Sequence, residues 1–169
     1  MYKPLELIKK NRKQKKTLAR FLRGLTHRKF RGLDAKAIEL NKEAYKKVDC
    51  LKCANCCKTM HSTWKKAEVK RVAKHMGMSY KKYFDKHLVM EEGDIMNKKA
   101  PCQHLGKDNM CSIYEIRPSD CSGFPHTQNK GFKLYISGTH IQNMDYCPIT
   151  VHVVDGLFNK AMEDKKAKK

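Results

Sequence analysis

The sequence predicts a mainly α-helical fold with small β elements: a compact, loop-rich, metal-stapled domain preceded by a basic helical arm. Three observations predict it. Apolar residues recur at helical spacing before and after a cysteine-rich middle. Only two short stretches, 88–95 and 132–136, carry strand signals. Eight cysteines stand as Cys50-x2-Cys53-x2-Cys56-Cys57, then Cys102, Cys111, Cys121 and Cys147, which is metal-site density rather than core filler.

Taken in order, Leu18, Phe21, Leu22 and Leu25 form a helical stripe. Residues 9–16 have no apolar residue, so the stripe is expected to break there. Gly24 and Gly32 punctuate the arm. Asp34 is placed to cap a second helix, with Leu33, Ala37, Ile38, Leu40, Ala44, Tyr45 and Val48 as its apolar positions. Ser62 or Thr63 can cap a helix over 64–75, which Gly77 would end. Ser79 can cap another over 80–87. Residues 88–95 fit a small hairpin around Glu91-Glu92-Gly93-Asp94. Residues 96–131 read as loops with one helical turn at 113–116, since Pro118 and Pro125 forbid a long helix. Phe132, Leu134 and Ile136 alternate with Lys133 and Tyr135, a strand signal. Pro148 suits the first turn of a last helix, with Ile149, Val153, Leu157 and Ala161 on one face. The tail 165–169 is expected to fray. The expected organisation is a basic arm over 1–48, a cysteine domain over 49–160 and a basic tail over 161–169.

The formal net charge is +20, from 37 basic and 17 acidic residues. Residues 1–48 hold 16 Lys/Arg against 4 Asp/Glu, and 9–31 hold 11 basic residues and no acidic one. Ligated cysteines are thiolates, so the cysteine domain is close to balance and the arm is the cationic object. RNA, DNA and an anionic membrane surface all answer to that charge. Weak, non-specific nucleic-acid contact through the arm and membrane-surface binding stand beside the plain alternative of a solvated tail. No stretch is long and apolar enough to span a membrane. Near the start only Leu5, Leu7 and Ile8 could begin an apolar run, and Lys9 and Lys10 stop it, so the expected compartment is the cytoplasm. Thiols there stay reduced, which favours metal over disulfides.

Thiolate is a soft ligand and selects zinc, copper(I) or iron–sulfur centres. The C-x2-C spacing lets one turn aim two sulfurs at one metal. The C-x2-C-x2-C run also resembles bacterial ferredoxin spacing, where a remote Cys-Pro completes a ligand set, as Cys147-Pro148 could. Side chains of adjacent residues diverge in helix and strand alike, so Cys56 and Cys57 are poor partners for one mononuclear site. Eight thiols suffice for two four-ligand centres, and at least one is expected to use Cys50, Cys53 and Cys56. His61, His104, His126 and His140 are alternative ligands or plain loop histidines. Arg117 is placed either to hydrogen-bond a ligand sulfur or to make a surface ion pair with Glu115 or Asp120.

The surroundings of the later cysteines are distinctive. Pro101-Cys102-Gln103-His104-Leu105 precedes Cys111-Ser112-Ile113-Tyr114-Glu115-Ile116-Arg117-Pro118-Ser119-Asp120-Cys121-Ser122-Gly123-Phe124-Pro125, then Cys147-Pro148. With the first cluster, these blocks resemble the bacterial cysteine-cluster family CxxCxxCC, described as zinc- or iron-chelating domains. The resemblance runs from about residue 50 to 148. Members usually carry a second Arg directly after the Cys at position 121, where this chain has Ser122. The resemblance implies chelation of zinc or iron, with an iron–sulfur cluster among the forms, and no settled reaction. Two other readings stand beside a metal-binding protein: a redox or other metalloenzyme, and a nucleic-acid-binding module whose metal only holds the fold. No H-E-x-x-H or H-x-E…P-C-x-x-C signature, Gly-rich phosphate loop or nucleophile elbow is present.

Overall fold

A computed structural model of the chain describes residues 4–167. In chain order the elements are α1 (Pro4–His27), α2 (Leu33–Lys47), α3 (Cys50–Cys53), α4 (Asn55–Thr59), β1 (Thr63–Trp64), α5 (Lys66–His75), α6 (Tyr80–His87), β2 (Leu88–Glu91), β3 (Asp94–Asn97), α7 (Ser119–Gly123), α8 (Ile141–Asn143) and α9 (Pro148–Lys166). Short 3-10 turns lie at Tyr114–Ile116 and Phe132–Tyr135, and a π turn at Ile136–His140. The protein is mainly α with one small antiparallel sheet, as the sequence predicts. Contacts group it into two compact units, Met1–Cys53 with Pro125–Lys169, and Ala54–Phe124. Among the described residues no helix is long and apolar enough to cross a membrane.

In the first unit α9 packs against both α1 and α2. The core includes Leu18, Leu22, Leu25, Leu33, Ala37, Leu40, Val153, Val154 and Leu157. Gly156 permits the α2–α9 approach, since a Cβ there would come within 2.6 Å of a Leu40 methyl. Helix α1 does not break over 9–16 as expected. Its inward row continues through Ile8, Asn11, Lys15, Leu18, Leu22 and Leu25, because two polar residues take the core-facing positions. Asn11 is buried, and half-buried Lys15 pairs with Asp145. Helix α9 starts at Pro148 as expected and continues through Lys165 and Lys166, where fraying is expected. Lys168 and Lys169 of that tail lie outside the described residues.

The strand expected at 132–136 is absent. Asp34 does not cap α2, which begins one residue earlier at Leu33. Its carboxylate instead accepts from the amides of Gly131 (2.7 Å) and Phe132 (3.0 Å), opening a helical turn. Phe132 and Ile136 are both buried, four residues apart, while Leu134 is 86 % exposed. The alternation was therefore a helical pair with an exposed leucine between. His140, a sequence candidate for a ligand, lies fully buried with its ring stacked on Phe132 at 4.1 Å.

Burial pushes the His140 pKa down to about 4, whereas an unfolded histidine titrates near about 6.5. Below that value the unfolded chain binds a proton that the folded chain refuses. Stability is therefore lost as pH falls from 6.5 toward 4. His140→Phe is expected to lessen the fall in melting temperature between pH 7 and 5, with His104, also pushed down to about 4 by burial, keeping part of it. A variant whose melting temperature falls as steeply as the parent's would rule this out.

The second unit holds the sheet, ordered β1-β3-β2. The expected hairpin pairs Leu88 with Asn97 and Glu91 with Asp94. Its two-residue turn has positive φ at Glu92 (50°) and Gly93 (91°), as a type I′ turn requires. Residues 63 and 64 pair in β1 rather than opening α5. The Glu68 carboxylate closes the start of α5 on the Lys65 amide at 2.8 Å, so Ser62 and Thr63 are not its cap. Gly77 ends α5 in the left-handed region (φ 63°), and the Ser79 hydroxyl caps α6 through the Lys82 amide. Trp64, Val69, Val72, Tyr83, Leu88, Ile95 and Ile113 form the core.

Candidate metal centre

None of the eight cysteines forms a disulfide. The first unit contains Cys50, Cys53 and Cys147; the second contains Cys56, Cys57, Cys102, Cys111 and Cys121. In the first unit, Asp49 Oδ1 accepts from the amides of Leu51 (3.0 Å) and Lys52 (3.3 Å), opening α3. That turn puts Cys50 and Cys53 three residues apart on one helical face. Cys147 precedes α9, and its amide donates to the Asn143 carbonyl at 2.8 Å. Burial pushes its thiol up to about 12, and the Cys50 charge adds to the shift.

In the second unit, α4 carries Cys56 and Cys57. Their sulfurs approach to 4.0 Å, closer than the divergence of neighbouring positions implies. The Cys102 amide donates to the Cys57 carbonyl at 2.8 Å, tying the next cysteine loop to α4. That loop closes on itself: the Gly106 amide donates to the Met110 carbonyl (2.8 Å), and Leu105 bridges Cys111. Gly106 is required there, because a Cβ would meet Asp108 Oδ1 at 2.5 Å and the Met110 carbonyl at 3.2 Å. Helix α7, which carries Cys121, is held from two sides. Asp120 Oδ2 accepts from the Thr63 amide (3.0 Å) and Glu68 Oε1 from the Ser119 amide (2.8 Å). One carboxylate, Glu68, thus fixes the starts of both α5 and α7.

These loops bring Cys102, Cys111 and Cys121 within range of the Cys57 charge, and Cys102 within range of Cys111 and Cys121. The Cys56 thiol holds the Cys57 pKa down to about 7, with Arg117 and Lys58 assisting and burial opposing. Burial raises Cys102 and Cys111 and pushes Cys121 up to about 12. Cys57 is thus poised to ionise near neutrality while Cys102, Cys111 and Cys121 hold their protons. Arg117 stacks its guanidinium over the Tyr114 ring at 3.7 Å, and its charge favours the thiolates of Cys57 and Cys111. Among the described residues no group of three or more His, Cys, Asp or Glu side chains is placed to hold a metal ion.

The histidines separate clearly. His104 is buried, with Nε2 on the Tyr83 hydroxyl (2.6 Å) and Nδ1 on Ser112 Oγ (3.3 Å), so both nitrogens are engaged. His61 Nδ1 lies 2.7 Å from the Asn97 carbonyl. A carbonyl only accepts, so Nδ1 donates, and in the neutral ring this leaves Nε2 as the lone-pair nitrogen, the arrangement of a metal-binding imidazole. His126 and His140 belong to the first unit. Sequence reasoning missed Asn97. It is buried, accepts from Trp64 Nε1 (2.9 Å) and Gln103 Nε2 (3.3 Å), and reaches Cys102. No short-range pattern marks it, because Trp64 and His61 lie more than 30 positions away along the chain.

Residues 49–148, more than half of the chain, match the family model CxxCxxCC, described as a putative zinc- or iron-chelating domain. No curated protein and no solved structure matches the chain.

Proposed function

Because the chain belongs to the CxxCxxCC family, we propose that it binds zinc or iron through cysteine thiolates. Cys56, Cys57, Cys102, Cys111 and Cys121 are the principal ligands of this reading, and Cys50, Cys53 and Cys147 are further ligands. The observation that carries it is the 4.0 Å approach of the Cys56 and Cys57 sulfurs. Two thiolates on one tetrahedral zinc with Zn–S of about 2.3 Å are roughly 3.8 Å apart. An all-sulfur donor set fits a soft metal.

Cys57 would supply the first thiolate at neutral pH, and a bound zinc or iron would favour the thiolate form of its buried neighbours. The Arg117 charge offsets part of the negative charge gathered there. In this reading His61, through Nε2, is a candidate nitrogen donor. A bound zinc would supply folding energy, and an iron–sulfur cluster would add electron transfer.

Metal and acid-labile sulfide analysis of anaerobically purified protein tests the reading. At least one zinc or iron per chain is expected. Labile sulfide with brown colour identifies a cluster, and colourless zinc protein identifies a structural or storage site. Folded protein without metal and with all thiols titratable overturns it.

A further inference from the structure

The charge on α1 is ordered in a way that chelation does not use. Lys9, Arg12, Lys13, Lys16, Arg20 and Arg23 fall within about 100° of the helix circumference. All six are exposed. They run over ~21 Å of helix at 1.5 Å per residue. The opposite face, through Ile8, Leu18, Leu22 and Leu25, is committed to the core of the first unit. Glu6, before the stripe, is the sole acidic residue of α1. Among the described residues no ion pair involves any of the six; Lys15, on the inward edge, takes Asp145. Like charges at i and i+4 oppose helix formation, so the row is unfavourable until an anion meets it.

We propose that this stripe binds the phosphodiester backbone of nucleic acid, without base preference. An interfacial membrane helix must insert an apolar face into the lipid, and on α1 that face is buried in protein. A row of cations on a rigid rod matches instead a linear array of phosphates, each contact releasing counterions. Base preference is expected to be weak, because the face offers no exposed aromatic to stack on and no amide to read adenine, and the row of charge answers to phosphates whatever the sequence. The proposal does not depend on the metal reading.

Truncating α1 would remove core residues, so the test is charge neutralisation in the full chain. Fluorescence anisotropy is read with a labelled 20-nucleotide RNA and a 20-base-pair DNA duplex. Binding to the duplex is expected to weaken ~1,000-fold between 50 and 200 mM salt, for six phosphate contacts. Replacing all six stripe residues by Gln should weaken binding at 50 mM salt by at least ~100-fold. Exchanging Lys and Arg within the stripe should preserve it, as should Gln at Lys66, Lys70, Lys74, Lys82, Lys86 and Lys99 of the second unit. Circular dichroism should be unchanged throughout. Equal loss in the two Gln variants, no binding at 50 mM salt, or binding to phosphatidylserine vesicles but to neither nucleic acid overturns the proposal.

Discussion

Cys57→Ser is expected to strip the protein of most of its metal and to lower its melting temperature in the same step. The two side chains are nearly the same size, so no cavity opens, and the backbone bond from Cys102 to the Cys57 carbonyl survives. What is lost is the thiol held near a pKa of about 7, the one most readily ionised. A hydroxyl is a hard, protonated and poor substitute. Changes outside the ligand shell already cost ~10–100-fold in metal affinity, so losing this ligand should cost at least ~100-fold. If ~2 kcal/mol of folding free energy goes with it, the melting temperature falls by ~4–8 °C. Competition against a metal indicator and a thermal melt measure the two effects. A variant that keeps full metal content and its melting temperature shows that Cys57 is not a ligand.

Removing the metal with a chelator under reducing conditions should loosen the second unit far more than the first. Among the described residues the buried cluster of the second unit has eight members and that of the first has fifteen. A small core depends more on cross-links and metals, and structural zinc supplies apparent binding energies of ~10–16 kcal/mol. Amide hydrogen exchange over 102–121 should accelerate by at least ~100-fold, while α9 stays protected. Uniform acceleration would mean that the metal holds the whole chain, and unchanged exchange that it holds none of it.

Much of the fold is legible where local chemistry decides it. Ser79 and Gly77 mark helix ends, Glu92-Gly93 marks the hairpin turn, and Pro148 opens α9, because each acts within its own turn. The misreadings arise where distant residues decide. At 132–136 a period of two and a helical i,i+4 pair both fit three apolar residues, and the Asp34 carboxylate, almost 100 positions away, selects the turn. Over 9–16 the polarity of Asn11 and Lys15 hid a helix whose inward face they complete. Thr63 and Trp64 look like a helix start until β3 arrives to pair with them.

The candidate site divides in the same way. Cysteine spacing makes the ligand candidates visible at once. It does not reveal that Cys56 and Cys57 converge, that Arg117 favours Cys57 and Cys111 as thiolates, or that His61 Nδ1 meets the Asn97 carbonyl. The surroundings of these residues are set by long-range ties: Cys102 to Cys57, Asn97 to Cys102, Glu68 to Ser119 and Asp120 to Thr63.

X-ray absorption at the zinc and iron edges of anaerobically purified protein tests the central claim most directly. Thiolate ligation is expected to give a first shell dominated by sulfur at about 2.3 Å. A shell of nitrogen and oxygen alone, at about 2.0–2.2 Å, would contradict it.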